Sequence, residues 1–200
     1  MNKKLLYVAI QVRDIKQAQQ ETYKVINEGG ADGVFLVNNG YHVTPGKLLY
    51  IAEMVKNNFP NHFIGANPLR LSTVEALVSV FMQGNKVDGL WTDDGGIRED
   101  ISHTFIDHEI KDPLINRKVQ YFGGVAMKYQ PGFHNLSAAA LAASKHFDVV
   151  VTSGDKTGSP PSIGKIDVIR TAIGPHPLLA VASGIDIGNV DNFLHLVDIF

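Results

Sequence analysis

Residues 148–161, Asp-Val-Val-Val-Thr-Ser-Gly-Asp-Lys-Thr-Gly-Ser-Pro-Pro, contain the pattern on which the fold prediction rests. The β-branched run from Asp148 to Thr152 is typical of a short buried strand and is too brief for a helix. Residues 153–161 then form a polar, glycine-containing loop, and two prolines end it before an amphipathic helix that begins near Ile163. A strand that leads into such a loop ahead of a helix indicates an α/β protein with a site at the strand end.

The same order of elements follows directly in the sequence. Leu178–Ala182 is apolar and predicts a strand, Ser183-Gly184-Ile185-Asp186 predicts a loop, and a helix is expected from Gly188 to about Leu196. We therefore expect the two loops to lie side by side, with the site between them.

Strands and helices alternate along the whole chain about seven and a half times, at a spacing of ~25 residues, which indicates parallel strands with helical crossovers. Strands are predicted at 5–12, 33–37, 63–66, 87–91, 119–127, 148–152, 178–182 and from 198, and helices at 14–28, 44–58, 72–84, 136–146, 163–173 and 188–196. Residues 97–118 are irregular, with one expected helix.

Eight such units close into a (β/α)8 TIM barrel, so residues 1–200 are predicted to form a single barrel domain. The rival fold is a doubly wound open sheet. Its glycine-rich motif belongs after the first strand, where this sequence has Gln11-Val12-Arg13 instead. The helix after the eighth strand is missing, so we expect either a truncated chain or a neighbouring molecule that covers this flank.

Composition excludes several classes of site. The 200 residues are 44% hydrophobic with a formal net charge of −2, and no Lys/Arg run is long enough to follow nucleic-acid phosphates. The absence of cysteine excludes disulfides, thiolate nucleophiles and cysteine-based metal sites. The apolar N-terminal run is interrupted by charge and predicts a first strand rather than a signal peptide, and no segment is long enough to span a bilayer. We expect a soluble cytoplasmic protein.

In a parallel α/β barrel the site forms at the carboxyl ends of the strands. Each residue predicted to line this rim offers a hydrogen-bonding group, which is an amide, a hydroxyl, a carboxylate or the polar main chain. Those assigned to substrate binding are Gln11, Asn38, Asn67, Ser153, Gly154, Asp155, Thr157, Gly158, Ser183 and Gly184. Asn39 and Asp186 also lie at strand ends, although Asp186 is better explained as a helix N-cap.

The sixth and seventh loops have the groups that hold a phosphate. Hydroxyls, glycine-rich main chain with free N–H groups and a helix N-terminus all favour an anion. Barrels often bind phosphate between the seventh and eighth loops, but the eighth loop is absent here.

Acid/base chemistry is assigned to Lys128 and to Asp93 or Asp94. Lys128 follows an apolar strand, so its cation either points into the site or extends to solvent. Asp93 and Asp94 are adjacent, so in extended chain only one of them faces the barrel axis. No zinc pattern occurs among the eight histidines, of which His103 and His108 lie five apart, and we expect no metal. Mg2+ bound by the carboxylates is the remaining alternative.

Thr152-Ser153-Gly154-Asp155-Lys156-Thr157-Gly158-Ser159-Pro160 and residues 183–190, Ser-Gly-Ile-Asp-Ile-Gly-Asn-Val, resemble motifs of the BtpA family. Gly65-Ala66-Asn67-Pro68-Leu69 is similar to the family's third strand, and Lys128 stands where its fifth strand ends in lysine. The resemblance implies a TIM-type barrel of the ribulose-phosphate-binding kind. It also implies either a role in photosystem I biogenesis, as for the family's namesake, or sugar-metabolism or phosphoribosyltransferase-like chemistry.

Two functions are therefore expected. The first is an enzyme that acts on a small, phosphorylated sugar or ribosyl compound as an isomerase, lyase or transferase, without a cofactor. The second is a non-catalytic assembly or stability factor for a protein complex, with an interaction surface beside 198–200. A homo-oligomer is one arrangement that would cover the uncovered flank.

Overall fold

The computed structural model describes residues 3–38, 42–97 and 118–200 and has an α/β fold. Its seven strands are parallel and follow one another in sequence order. They are β1 (Tyr7–Gln11), β2 (Gly33–Val37), β3 (Phe63–Asn67), β4 (Gly89–Thr92), β5 (Gln120–Gly124), β6 (Val149–Thr152) and β7 (Leu178–Val181). The α-helices are α1 (Ile15–Tyr23), α2 (Pro45–Asn58), α3 (Thr73–Met82), α4 (Leu136–Ala143) and α5 (Ile163–Ile173). A π-helix, Lys24–Glu28, continues α1, and a 3-10 helix covers Val190–Asn192.

Side-chain caps explain where the helices begin. Asp14 and Thr44 each accept a hydrogen bond from a main-chain N–H in the first turn of α1 and α2, and Pro45 occupies the first turn of α2. Ser72 and Glu75 form a reciprocal capping box at the start of α3. Asp14, Thr44 and Ser72 are residue types that favour the N-cap position, and each caps its helix as that preference predicts.

The chain divides into two compact units by its internal contacts. The first, here the β1–β4 unit, contains Leu6–Thr92 and 118–121. The second, the β5–β7 unit, contains 3–5, 93–97 and Phe122–Phe200. The prediction of one barrel domain stays a prediction.

An aromatic cluster forms part of the core of the β1–β4 unit. Tyr7 stacks on Phe63 with ring centroids 4.4 Å apart, and Phe35 meets both rings and Trp91 edge-on. Burial, with smaller contributions from the carboxylates of Asp32 and Asp88, raises the pKa of Tyr7 to about 12. Tyr7 therefore stays uncharged in this cluster at neutral pH.

In the β5–β7 unit, the last residues of the chain are held by an ionic network. The Asp198 carboxylate accepts hydrogen bonds from the Arg170 guanidinium and the Leu179 N–H, and the Lys4 ammonium lies 3.7 Å from it. Ile199 forms parallel bridges to Leu5 and to Ala180. The strand predicted from Asp198 therefore consists of isolated bridges, and a complete eight-stranded barrel stays a prediction.

The end of β5 and the segment after β7 differ most from their predictions. β5 ends at Gly124 rather than Met127, because Ala126 has a positive φ of +53° and leaves the extended conformation. Residues 188–196 form only a short 3-10 helix, because the side chains of Asp186 and Asn189 bond to nearby main-chain N–H groups and hold a turn. The helical spacing of Val74, Leu77, Val78 and Phe81 predicts that all four face inward, but in α3 Val78 and Phe81 are exposed.

Some predictions fall on parts of the chain outside the described residues. These are the helix expected within 97–118, together with His103, His108 and Asn39. Within the described ranges, no helix is both long enough and apolar enough to cross a membrane.

Candidate functional site

The loop after β6 (the β6 loop, 153–161) and the loop after β7 (the β7 loop, 182–189) lie side by side in the β5–β7 unit, as predicted. A Cβ atom on Gly154 would lie 2.2 Å from the Ser159 carbonyl oxygen. A Cβ atom on Gly184 would lie 2.3 Å from the Ser159 carbonyl carbon and 2.4 Å from the Pro160 nitrogen. The Ser159–Pro160 main chain therefore packs against both glycines and joins the two loops.

The outer part of these loops is open to solvent. Asp155, Thr157 and Gly158 of the β6 loop and Ser183 of the β7 loop are exposed. Gly158, Ser183 and Gly184 all have positive φ, of +81°, +73° and +78°. A positive φ at two consecutive residues turns the main chain sharply. Tight turns of this kind can direct N–H groups toward an anion.

Ser153 is buried inside the protein rather than exposed at the surface of the β6 loop. It is fully buried, and its Oγ accepts a hydrogen bond from the Lys128 N–H at 3.0 Å and donates one to the Gly154 carbonyl at 2.9 Å. Gly154 is buried as well. These two residues, which were predicted to bind substrate, therefore shape the base of the β6 loop, while the exposed residues lie farther along it.

Lys128 lies in a turn after β5 (the β5 turn, 125–130) and not at a strand end as predicted. This turn is closed by two bonds between Met127 and Gln130, one from the Gln130 N–H and one to the Gln130 Oε1. The Lys128 ammonium lies 5.4 Å from the centroid of the exposed Tyr129 ring, within range of a cation–π contact.

Gln130 connects the β5 turn with the loop after β4. Its Nε2 donates to Asp94 Oδ1 at 3.0 Å and to the Gly124 carbonyl at 3.2 Å. The same Asp94 oxygen accepts the Gly96 N–H at 2.8 Å. Asp94 is exposed and Asp93 is partly exposed. Both predicted carboxylates and Lys128 lie in the β5–β7 unit, and Gln130, which the sequence did not single out, links the β5 turn to Asp94.

Lys165 is a second residue that the sequence analysis missed. It lies in the first turn of α5, and its Nζ donates to the carbonyls of Ala126 and Ser153. Burial lowers the pKa of Lys165, and the nearby carboxylate of Asp155 opposes this effect. A lysine in a helix gives no sequence signal that separates such a position from a solvent-exposed one.

The remaining predicted residues, Gln11, Asn38 and Asn67, belong to the β1–β4 unit. Gln11 and Asn67 occupy the same row of the sheet, since both are in register with Val37. Gln11 is exposed, whereas Asn38 and Asn67 are buried. The Asn38 amide donates to the carbonyls of Val43 and Leu69, and its Oδ1 has no hydrogen-bond partner among the described residues.

Two further predictions concern Asp186 as a helix N-cap and a metal ion bound by carboxylates. Asp186 Oδ1 accepts the Gly188 N–H at 2.7 Å, so its carboxylate holds the β7 loop and caps a turn rather than a regular helix. Across 3–38, 42–97 and 118–200, no group of three or more His, Asp or Glu side chains is arranged to hold a metal ion.

Solved structures with similar folds include several enzymes. 2,3-Dimethylmalate lyase, a PEP mutase/isocitrate lyase superfamily member, aligns with a TM-score of 0.63 and 15% identity over 98% of this chain and 72% of its own. An enolase from the Sargasso Sea environmental genome aligns with a TM-score of 0.63 and 11% identity over 98% of this chain and 50% of its own. A mandelate racemase/muconate lactonizing enzyme from Roseiflexus sp. aligns with a TM-score of 0.57 and 13% identity over 92% of this chain and 49% of its own.

At these identities the likeness shows the fold alone, and these neighbours are TIM-barrel-like. The chain spans about half the length of the Roseiflexus enzyme and the enolase. No curated protein matches the sequence. The family assignment comes from the sequence itself, because the model of the BtpA family matches residues 9–200. The chain therefore belongs to the BtpA family.

Proposed function

We propose that this chain is an enzyme that binds a small phosphorylated sugar or ribosyl compound, with the phosphate held by the β6 and β7 loops. The observation that supports this proposal most strongly is the junction of the two loops at Ser159–Pro160. It presents exposed hydroxyl and glycine main-chain groups on adjacent loops. Hydroxyl and main-chain N–H donors suit a phosphate because hydrogen bonds to an ionised oxygen are stronger than those between neutral groups.

The phosphate contacts in this proposal come from the exposed part of the two loops. Thr157 offers a hydroxyl, and Gly158, Ser183 and Gly184 offer main-chain N–H groups in tight turns. Asp155 is exposed on the same loop and repels an anion that comes close to it. We therefore place the phosphate toward Thr157 and Ser183 and assign Asp155 to hydroxyl groups of the sugar.

Acid/base chemistry is assigned to the β5 turn and the loop after β4. Gln130 holds one oxygen of Asp94, and Lys128 lies two residues away from Gln130 in the same turn. A carboxylate at Asp93 or Asp94 would accept a proton from substrate carbon or oxygen. The Lys128 ammonium would stabilise the negative charge that develops on a substrate oxygen. This division of roles suits an isomerase, lyase or transferase. The acid/base groups in it are all protein side chains, so the proposal includes no cofactor.

A thermal-shift measurement tests the proposal. Inorganic phosphate and ribose 5-phosphate should raise the melting temperature, whereas ribose should not, because only a ligand bound by the native state stabilises it. At a ligand concentration of about 100 Kd the stabilisation is about 2.7 kcal/mol, which corresponds to roughly 5–10 °C for a chain of this length. Each ligand is measured with and without Mg2+.

Matched variants show whether the β6 loop is responsible. Thr157→Val removes an exposed hydroxyl of that loop and should reduce the shift, while Thr171→Val removes an exposed hydroxyl on α5 and should leave it unchanged. If no phosphorylated compound shifts the melting temperature of the unaltered protein, the proposal fails, and the assembly factor becomes the better hypothesis.

A further inference from the structure

Lys165 places its charged end at main-chain carbonyls rather than in solvent. Its Nζ donates to the Ser153 carbonyl at 2.7 Å and also to the Ala126 carbonyl. Ser153 is the first residue of the β6 loop, and Ala126 lies in the β5 turn. One ammonium group therefore links the segments that follow two neighbouring strands.

Three local features of this contact oppose stability. Lys165 lies in the first turn of α5, where the helix dipole disfavours a positive charge. Its ammonium is partly buried, which removes hydration, and burial lowers its pKa. Ala126 adopts a φ of +53°, which costs energy for a residue with a Cβ atom. Unfavourable features that gather at one point are typical of functional sites rather than of ordinary packing.

The contact determines where the β5 turn lies. The Lys128 N–H donates to Ser153 Oγ, and the Ser153 carbonyl accepts from Lys165, so Ser153 joins the two lysines. The Ala126 carbonyl also accepts the Thr152 hydroxyl, at 3.4 Å. Lys165 is thus bonded to the turn that carries Lys128 and to the base of the loop that carries Thr157.

We propose that Lys165 is a positioning residue, whose ammonium holds the β5 turn with Lys128 against the β6 loop. The inference deepens the proposed function, because it explains how the acid/base lysine and the phosphate loop are kept in register. Lys165 contacts neither phosphate nor reacting atoms in this account. It acts through the main chain of Ala126 and Ser153.

Amide spectra of the unliganded protein test the inference without reference to any ligand. Lys165→Met should move the 15N–1H signals of Lys128 and Ser153, because two carbonyls lose a charged donor. Lys145→Met removes an exposed lysine from the same unit and should leave both signals in place. Lys165→Arg keeps the charge and the N–H donors and should return both signals toward their original positions.

Ribose 5-phosphate affinity provides the second readout. Lys165→Met should weaken it about tenfold, Lys165→Arg should restore most of it, and Lys145→Met should not change it. If the unaltered protein binds no phosphate, the proposed function fails, while the amide signals still decide the role of Lys165.

The inference is overturned if the 15N–1H signals of Lys128 and Ser153 have the same positions in Lys165→Met as in Lys145→Met. Should Lys165→Met fail to fold, the lysine side-chain 15N spectrum of the unaltered protein decides instead. A Lys165 ammonium signal protected from exchange with water supports the contact, and one that exchanges as fast as the exposed lysines overturns it.

Discussion

Gly184→Ala should weaken binding of ribose 5-phosphate and loosen the β6 and β7 loops. Gly184 has a φ of +78°, a conformation that costs alanine about 1–2 kcal/mol. Its new Cβ would also lie 2.3 Å from the Ser159 carbonyl carbon, a contact that main-chain atoms cannot tolerate. The Ser159–Pro160 main chain must therefore move away, which separates the loops. Calorimetric titration should show at least about a tenfold loss of affinity, as expected when a positioned hydrogen-bonding group is displaced.

Gly46→Ala is the matched control for this change. Gly46 lies in the first turn of α2, has an ordinary φ, and would place a Cβ with no heavy atom within 4 Å. The substitution should be neutral or slightly stabilising, since alanine favours a helix over glycine by about 1 kcal/mol. If Gly184→Ala binds ribose 5-phosphate as Gly46→Ala does, the loop junction has no part in binding.

Arg170→Met should cause a large loss of stability. The Arg170 side chain is 18% exposed, and its guanidinium donates to Asp198 and to the carbonyls of Leu196 and Gly174. Methionine keeps the aliphatic bulk but leaves the Asp198 carboxylate partly buried without its main cation. The expected cost is about 2–4 kcal/mol in the free energy of unfolding, measured by urea denaturation.

Arg13→Met provides the comparison for an exposed arginine. Arg13 lies 3.7 Å from Glu21, and its side chain is 78% exposed. Surface ion pairs contribute about 0–1 kcal/mol, so this change should be nearly silent. Equal effects of the two substitutions would show that the Asp198 network does not stabilise the end of the chain.

Much of the α/β fold could be predicted because strands and helices leave local signals. β2 and α5 have the bounds that their apolar patterns predict, 33–37 and 163–173. The first residues of α1, α2 and α3 follow from capping residues whose effect is limited to one turn. Ends that depend on tertiary structure were predicted less well, as the positive φ of Ala126 at the end of β5 shows.

The candidate site was predicted in outline but not in its internal connections. Glycines and hydroxyls after β6 and β7 marked the loops, because loop composition is itself a local signal. The sequence could not show that Ser153 is buried, or that Gln130 and Lys165 link the loops. These contacts join residues 12 to 39 positions apart, and lysine and glutamine are ordinary surface residues.

The most direct test of the central claim is a titration of the 15N-labelled protein with ribose 5-phosphate, followed through its amide signals. We predict saturable shifts of Thr157, Gly158, Ser183 and Gly184, with no comparable shifts when ribose is added instead. Saturable shifts confined to residues outside the β6 and β7 loops, or no shifts at millimolar ligand, would contradict the claim that these loops form a phosphate site.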